Sequence, residues 1–174
     1  MKLQGKKIAF LVGPGFEDLE FWVPYMRLVE EGAEIVTVGI KAGDVYVSKN
    51  GGLKARADVG ADDVRSEDFD AVVIPGGWAP DKIRRYDGVK RLVKGVYDKG
   101  GIVGMICHAG LVGISAKIVA GHRATGSLGI KDDLENAGAT WVDAPAFRDG
   151  HLVWGRVVAD IPDFNRELIA ALSA

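Results

Sequence analysis

The chain has 174 residues, a length typical of one domain, so we expect a single domain over residues 1–174. Its 22 Lys and Arg residues nearly balance 24 Asp and Glu residues, and a net charge of −2 argues against a general nucleic-acid binder. One cysteine excludes an intramolecular disulfide and a four-cysteine zinc site, and the three histidines lack metal-ligand spacing. We therefore expect no metal.

The first apolar run is too short for an export signal or a membrane helix. Residues 8–12 lead directly into Gly13-Pro14-Gly15, whereas a membrane helix needs about 20 apolar residues. No later apolar segment reaches that length. We expect a soluble, cytoplasmic protein without a membrane partner.

Short apolar runs alternate with longer amphipathic segments along the chain. Strands are predicted, in chain order, over residues 8–12, 34–39, 71–74, 102–106 and 140–142. Helices are predicted over residues 19–32, 89–97, 111–118, 130–137 and 163–172, the first with an apolar stripe and a kink or restart at Pro24. The turn residues Asn50-Gly51-Gly52 and Asp149-Gly150 indicate hairpins.

This alternation, with strands that are apolar on both faces, is typical of a parallel sheet covered by helices. In such sheets the ligand binds beyond the carboxyl ends of the strands. The segments that follow Val12, Ile74 and Ile106 are therefore the ones in which we expect the functional site.

The only cysteine lies where the strand that ends at Ile106 meets a predicted helix. This is the arrangement of a nucleophile elbow, a tight strand-to-helix turn that presents one side chain to a cleft. Because amides at a helix N-terminus stabilise a thiolate, we expect a lowered pKa and a nucleophilic role for Cys107. The alternative is a buried cysteine that packs as a small apolar side chain.

The histidines differ in their surroundings. His108 follows Cys107 directly, and because adjacent side chains normally point apart, the sequence leaves open whether it serves as the base for the thiol. His122 and His151 lie in turn-like segments, where we expect them to be solvated.

The other two strand ends supply glycines and a carboxyl group. The N–H groups of Gly76 and Gly77, with that of His108, can form an oxyanion hole, although two glycines are also typical of a tight turn with positive φ. Glu17 can reach the same cleft, where a neighbouring thiolate would raise its pKa. It can equally belong to the acidic first turn of a helix.

Several segments that span almost the whole chain occur in an order shared by a known family. They are residues 15–20, 24–25, 30–32, 69–71, 75–80, 106–108, 129–133, 136–138 and 141–143. With them the chain resembles the ThiJ/PfpI superfamily, and specifically its PfpI-type intracellular protease and deglycase branch. The resemblance implies a flavodoxin-like three-layer α/β sandwich, mostly parallel, with a nucleophile elbow as in class I glutamine amidotransferases.

The resemblance also implies roles for individual residues. Cys107 matches the family's nucleophile, Glu17 the carboxyl that hydrogen-bonds it, and Gly77 and His108 the oxyanion-hole positions. The implied triad joins Cys107 and His108 to an acidic residue of a neighbouring subunit, which here falls on Asp81. The implied assembly is a homo-oligomer, a dimer that builds into a hexamer, and no cofactor is implied.

Three positions depart from the family pattern. Asp81 replaces a glutamate, Ala109-Gly110 replaces Gly-Pro after the histidine, and Ser127 stands where a tyrosine is expected near the pocket. These departures leave the thiol chemistry intact and bear on peptide cleavage and substrate shape.

The sequence thus predicts a cysteine-dependent hydrolase in which the Cys107 thiolate attacks a small aldehyde, a glycated adduct or a peptide. The alternative is a non-enzymatic redox sensor or chaperone-like stress protein with an oxidisable Cys107. A third possibility, flavodoxin-like cofactor binding, rests on fold analogy, because Asp18 stands where a dinucleotide fingerprint requires its third glycine.

Overall fold

A computed structural model describes the whole chain, residues 1–174. It contains eleven strands: β1 (Lys7–Leu11), β2 (Glu34–Gly39), β3 (Val45–Val47), β4 (Lys54–Arg56), β5 (Val59–Gly60), β6 (Ala71–Ile74), β7 (Ile102–Ile106), β8 (Arg123–Ala124), β9 (Thr140–Trp141), β10 (Ala146–Asp149) and β11 (Leu152–Gly155). Seven of them form the central sheet in the order β10-β11-β7-β6-β1-β2-β5, and all neighbours are parallel except β10 and β11. This is the strand order of a flavodoxin-like fold with an added antiparallel edge.

Helices cover both faces of the sheet. They are α1 (Asp18–Glu30), α2 (Ala79–Ile83), α3 (Asp87–Asp98), α4 (Gly110–Ser115), α5 (Lys131–Asn136) and α6 (Ile161–Ser173). Alternate residues of β1 point to opposite sides, so that Ile8 and Phe10 join the core beneath α1 and α6, and Ala9 and Leu11 join the core beneath α3, α4 and α5. The predicted three-layer sandwich is confirmed.

The predicted strands and hairpins match the structure closely. The predicted boundaries of β2, β6 and β7 agree with the observed ones, and both predicted hairpins form. The strand predicted over residues 140–142 pairs only with β8, outside the central sheet. The short strand β5 and the helix α2 have no counterpart in the prediction, because a two-residue strand and a helix opened by Ala79-Pro80 have no periodic pattern.

The first helix differs from the prediction in two respects. It continues through Pro24 without a restart, since Pro24 is buried and the surrounding aromatic contacts offset one missing backbone hydrogen bond. Its predicted apolar stripe faces outward: Leu19, Val23 and Met26 are exposed. The opposite face of α1 is buried, with Glu20, Phe21, Pro24 and Leu28 turned to the sheet.

Three of the parallel strands end at one edge of the sheet. The loops after β1, β6 and β7 meet there, held by the backbone hydrogen bonds Glu17 N to Gly76 O (3.1 Å) and Trp78 N to Gly15 O (2.8 Å). The segments in which the sequence predicts the site are thus adjacent. None of the helices combines the length and the apolar character that a membrane crossing requires.

The packing of α6 on the sheet gives a direct test of this core. The side chain of Leu168 is fully buried and lies over Gly104 of β7. Leu168→Ala should lower the free energy of unfolding by about 2–5 kcal/mol, because it leaves a cavity beside a glycine that cannot fill it. Leu128→Ala, at a side chain that is 77% exposed, is the matched control and should leave the urea midpoint unchanged. An equal loss in both variants would contradict this packing.

Candidate active site

Cys107 stands at a strained turn directly after β7. Its φ is +61°, a left-handed conformation that non-glycine residues rarely adopt, and a short 3-10 turn (Cys107–Ala109) carries the chain into α4. The side chain is partly buried and lines a cleft of about 310 Å³. The predicted nucleophile elbow is therefore present.

The elbow brings the adjacent cysteine and histidine together. Cys107 Sγ lies 3.3 Å from His108 Nδ1, so the unusual backbone overcomes the normal divergence of neighbouring side chains. Burial, and secondarily the charge of Lys49, lowers the pKa of His108. The imidazole is thus neutral at physiological pH and able to accept a proton.

The carboxyl group that faces the thiol belongs to Glu20, and the prediction of Glu17 for that contact is wrong. Glu20 is fully buried, and Glu20 Oε2 accepts the N–H of Gly76 at 3.2 Å. Glu20 Oε1 makes no hydrogen bond, and Glu20 Oε2 and Cys107 Cβ lie on either side of Gly76, so the carboxyl group is a close neighbour of the thiol. Burial, followed by the charge of Glu17, raises the pKa of Glu20 to about 8.

Glu17 has a different task at the edge of the same cleft. It is the N-cap of α1, and its Oε2 accepts the N–H groups of Leu19 and Glu20 at 2.8 Å each. This is the helix-start role that the sequence left open as the alternative. One turn later, position 20 falls on the buried face of α1, and for that reason its carboxyl group reaches the thiol.

The expected lowering of the cysteine pKa is also wrong. Burial, and then the charge of ionised Glu20, raises the pKa of Cys107 to about 12, although the N–H groups of His108 and Gly77 hydrogen-bond the sulfur and oppose the rise. The prediction considered the helix N-terminus alone, whereas desolvation and the buried carboxyl group outweigh it. Below the pKa of Glu20 that carboxyl group is neutral, and its repulsion of a thiolate disappears.

The glycines after β6 have separate tasks. Gly77, with φ of +79°, directs its N–H to the Cys107 sulfur. The N–H of Gly76 is occupied by Glu20, and a side chain at Gly76 would come within 2.7 Å of Glu20 Oε2 and 2.8 Å of Cys107 Cβ. The prediction of Gly76 as an oxyanion donor is therefore wrong, and Gly77 and His108 are the available donors.

Asp81 does not lie in this cleft within one chain. It is exposed on α2, where its Oδ2 pairs with Arg85 Nη2 at 2.8 Å. Ser127 does line the cleft, and its hydroxyl caps the following turn by accepting the N–H of Gly129 at 3.4 Å.

The other two histidines lie away from the cleft, and one of them is not solvated as predicted. His122 has a 20% exposed side chain, and its ring nitrogens lie 3.0 Å from Asp149 Oδ2 and 2.7 Å from the Tyr97 hydroxyl. These contacts tie α3 to the β10–β11 hairpin. His151 is exposed, as expected.

Sequence reasoning missed part of the cleft wall. Lys49, from the β3–β4 hairpin, places its Nζ 4.7 Å from the centre of the Trp78 ring. The segment 157–159, which precedes α6, also lines the cleft. The only available signal for Glu20 was its position one helical turn after Glu17; for Lys49 no local pattern existed.

The sequence pattern of the DJ-1/PfpI family matches residues 6–171. The chain belongs to the DJ-1/PfpI family. It is 38% identical over 166 residues to a protein of Pyrococcus horikoshii named a deglycase, an alignment that covers 95% of this chain and 99% of that one. General stress protein 18 of Bacillus subtilis is 39% identical over 169 residues, covering 97% and 98%.

A solved structure has the same fold. It is a two-domain protein from Anabaena variabilis with DJ-1/ThiJ/PfpI-like and ferritin-like domains, and it superimposes with a TM-score of 0.94 at 36% sequence identity. The match covers 96% of this chain and 48% of that one, so the present chain spans about half the length of the two-domain protein.

The buried carboxyl group of Glu20 makes stability depend on pH. A pKa raised from 4.5 to about 8 means that folding opposes its ionisation, so its contribution to stability is complete below pH 4.5 and is lost as the pH rises through 8. The Glu20→Gln variant has no carboxyl group to ionise and should not show this loss. Its free energy of unfolding should rise relative to that of the wild-type protein by roughly 4 kcal/mol as the pH increases from 4.5 to 8.5.

Urea unfolding at several pH values in that range measures the effect. Glu135→Gln removes an exposed carboxyl group and is the control, with a pH profile parallel to that of the unmodified protein. A plot of unfolding free energy against pH for Glu20→Gln that ran parallel to the wild-type plot would contradict a buried, protonated Glu20.

Proposed function

We propose that this protein is a cysteine-dependent hydrolase of the deglycase and glyoxalase type, acting on 2-oxoaldehydes or their adducts with amines and thiols. The observation that carries the proposal is the contact of Cys107 Sγ with His108 Nδ1 at 3.3 Å, beside two backbone N–H groups. The name of the Pyrococcus horikoshii relative, a deglycase, supports the same class of reaction.

His108 begins the reaction as a general base. Because its pKa is lowered and that of the Cys107 thiol is raised, the resting pair is neutral imidazole and thiol. The imidazole takes the thiol proton as the sulfur attacks the aldehyde carbon, so a standing thiolate is not required. Glu20, protonated near neutral pH by its raised pKa, adds no negative charge beside the ionising sulfur.

The attack gives a thiohemiacetal whose oxygen carries negative charge. The N–H groups of Gly77 and His108, which point toward the sulfur, are the donors available to that oxygen. His108 then gives the thiol proton to the oxygen of the neighbouring carbonyl and, neutral again, moves a proton from the attacked carbon to that neighbour. The charged oxygen becomes the carbonyl of a thioester of a 2-hydroxy acid. Water then releases the acid, so the aldehyde carbon is oxidised, the neighbouring carbonyl is reduced, and no external oxidant is consumed.

The dimensions of the cleft favour a small carbonyl substrate over a peptide. A volume of about 310 Å³ is at the lower end for ligand sites and suits a few heavy atoms. Trp78 and Val157 stand at its border, where a peptide would have to extend on both sides of the cleaved bond. Peptide cleavage also requires protonation of an amine leaving group, which small-carbonyl chemistry avoids.

The name of the Bacillus subtilis relative, a general stress protein, supports the second candidate, a redox sensor or stress protein. In that role Cys107 would be oxidised to a sulfenic or sulfinic acid, and the chain has no other cysteine to form a disulfide. Mass spectrometry after mild peroxide treatment separates the candidates: an unmodified Cys107 beside an oxidised free-cysteine standard contradicts sensing.

Substitution of the nucleophile and the base tests the enzymatic proposal. Cys107→Ala should lower methylglyoxal consumption at least about 10³-fold, and His108→Gln should lower kcat by about 10²–10⁴. His151→Gln, at an exposed histidine outside the cleft, is the matched control and should retain full activity. Undiminished turnover by Cys107→Ala would remove the proposed mechanism.

We also propose that assembly of a homo-oligomer completes the site with Asp81 of a neighbouring subunit. Within its own chain Asp81 has a 61% exposed side chain and pairs with Arg85, so it is accessible to another copy. The outward stripe of α1, with Leu19, Val23 and Met26 exposed, is an apolar surface suited to burial between subunits.

A complementation experiment tests this sharing of residues. Asp81→Asn should lower activity, and mixing it with inactive Cys107→Ala under conditions of subunit exchange should restore part of it, because mixed oligomers contain intact sites. Sedimentation establishes the assembly in the same buffer. A monomer with full activity, or no recovery on mixing in a verified mixed oligomer, would contradict the shared site.

A further inference from the structure

Lys49 is the one permanently cationic side chain that lines the Cys107 cleft. The carboxyl groups of Glu17 and Glu20 line it as well, but neither pairs with the ammonium group. Lys49 Nζ instead lies over the face of the Trp78 ring, 4.7 Å from its centre. An ammonium group held by a cation–π contact retains N–H donors for a ligand.

The backbone of Lys49 is held firmly in place. Asp18, which is buried, accepts the Ser48 hydroxyl at 2.7 Å and the Asn50 backbone and side-chain N–H groups at 3.2 and 3.1 Å. Lys49 N also donates to Phe16 O at 2.8 Å. The residues on both sides of Lys49 are therefore clamped to the start of α1, and the side chain extends from a defined origin.

The ammonium group acts electrostatically on the groups proposed to react. Its charge contributes, after burial, to the lowered pKa of His108, and it slightly opposes the raised pKa of Glu20. Lys49, Trp78 and His108 line the same cleft, and Lys49 Nζ lies over the Trp78 ring, so a molecule bound between His108 and Trp78 would lie beside the ammonium group.

We propose that Lys49 is a specificity-determining residue that binds an oxygen on the carbon next to the one attacked by Cys107, and that it favours ligands in which that oxygen is part of a carboxylate. The predicted class is small 1,2-dicarbonyl compounds, among which 2-oxo carboxylates bind most tightly. A 2-hydroxy carboxylate is expected to bind as their analogue, with its hydroxyl-bearing carbon at Cys107 and its carboxylate at Lys49. This inference rests on the proposed function, because it takes Cys107 as the attacking atom.

Competing roles for Lys49 fit the contacts less well. A structural role in an ion pair does not apply, because Lys49 pairs with no carboxylate and its side chain contacts the Trp78 ring instead. A catalytic base role already has a candidate in His108, whose Nδ1 touches the sulfur. A cation at the border of a cleft with neutral reacting groups is instead suited to orient an anionic or strongly polar end of a ligand.

Binding measured without turnover tests the inference. In the Cys107→Ala background, ligand-observed NMR compares lactate with lactamide, which has the same shape without the negative charge. We expect lactate to bind about 10-fold or more tightly than lactamide, since an ammonium–carboxylate ion pair replaces a hydrogen bond from the ammonium group to a neutral carbonyl. Lys49→Met keeps the length of the side chain and should abolish the preference, whereas Lys49→Arg should retain most of it.

The outcomes distinguish this inference from the proposed function. Equal binding of lactate and lactamide, or a preference that persists in a folded Lys49→Met variant, would overturn the role of Lys49 even if Cys107 is essential for methylglyoxal consumption. If consumption proves independent of Cys107, the proposed function fails first. Lactate inhibition of the unmodified protein, weakened by salt and absent in Lys49→Met, provides a second readout in case the double variants fold poorly.

Discussion

The geometry of the cleft depends on the close packing of a buried carboxyl group, a glycine and the cysteine at the elbow. Glu20 reaches the Cys107 thiol only because Gly76 has no side chain, and the N–H of Gly76 fixes one oxygen of the carboxyl group. The same glycine accepts the N–H of Glu17, which caps α1. Loss of this packing would displace the helix start, the loop after β6 and the sulfur together.

The protonation states of Glu20 and Cys107 follow from their burial. Burial raises the pKa of both Glu20 and Cys107, and the charge of Glu20 raises that of Cys107 further. The site therefore holds its protons at neutral pH instead of resting as an ion pair. A neutral imidazole 3.3 Å from the sulfur supplies the acceptor that such a site requires. The arrangement favours proton transfer at the moment of attack, which is the basis of the proposed chemistry.

The two faces of α1 have different surroundings. Its buried face delivers Glu20 to the thiol, while its outward face exposes Leu19, Val23 and Met26. Apolar periodicity identified the helix correctly, but the apolar side proved to be the outer one. The proposed homo-oligomer would bury this apolar stripe between subunits.

Local sequence patterns alone determined the positions of several strands, both hairpins and the elbow at Cys107. The apolar runs located β2, β6 and β7, the glycine-rich turns located both hairpins, and the position of Cys107 after a buried strand indicated the elbow. These features depend on residues close together in the chain, for which periodicity and turn chemistry suffice.

Only the tertiary structure decided which groups surround the sulfur. Glu20 and not Glu17 faces the thiol, and the N–H of Gly76 binds Glu20 instead of serving as an oxyanion donor. Lys49 reaches the cleft from a hairpin that is distant in sequence. The direction of the Cys107 pKa shift likewise depended on burial, which one strand end cannot reveal. Such contacts join residues that are separated in sequence by tens of positions, and no short-range pattern encodes the packing that brings them together.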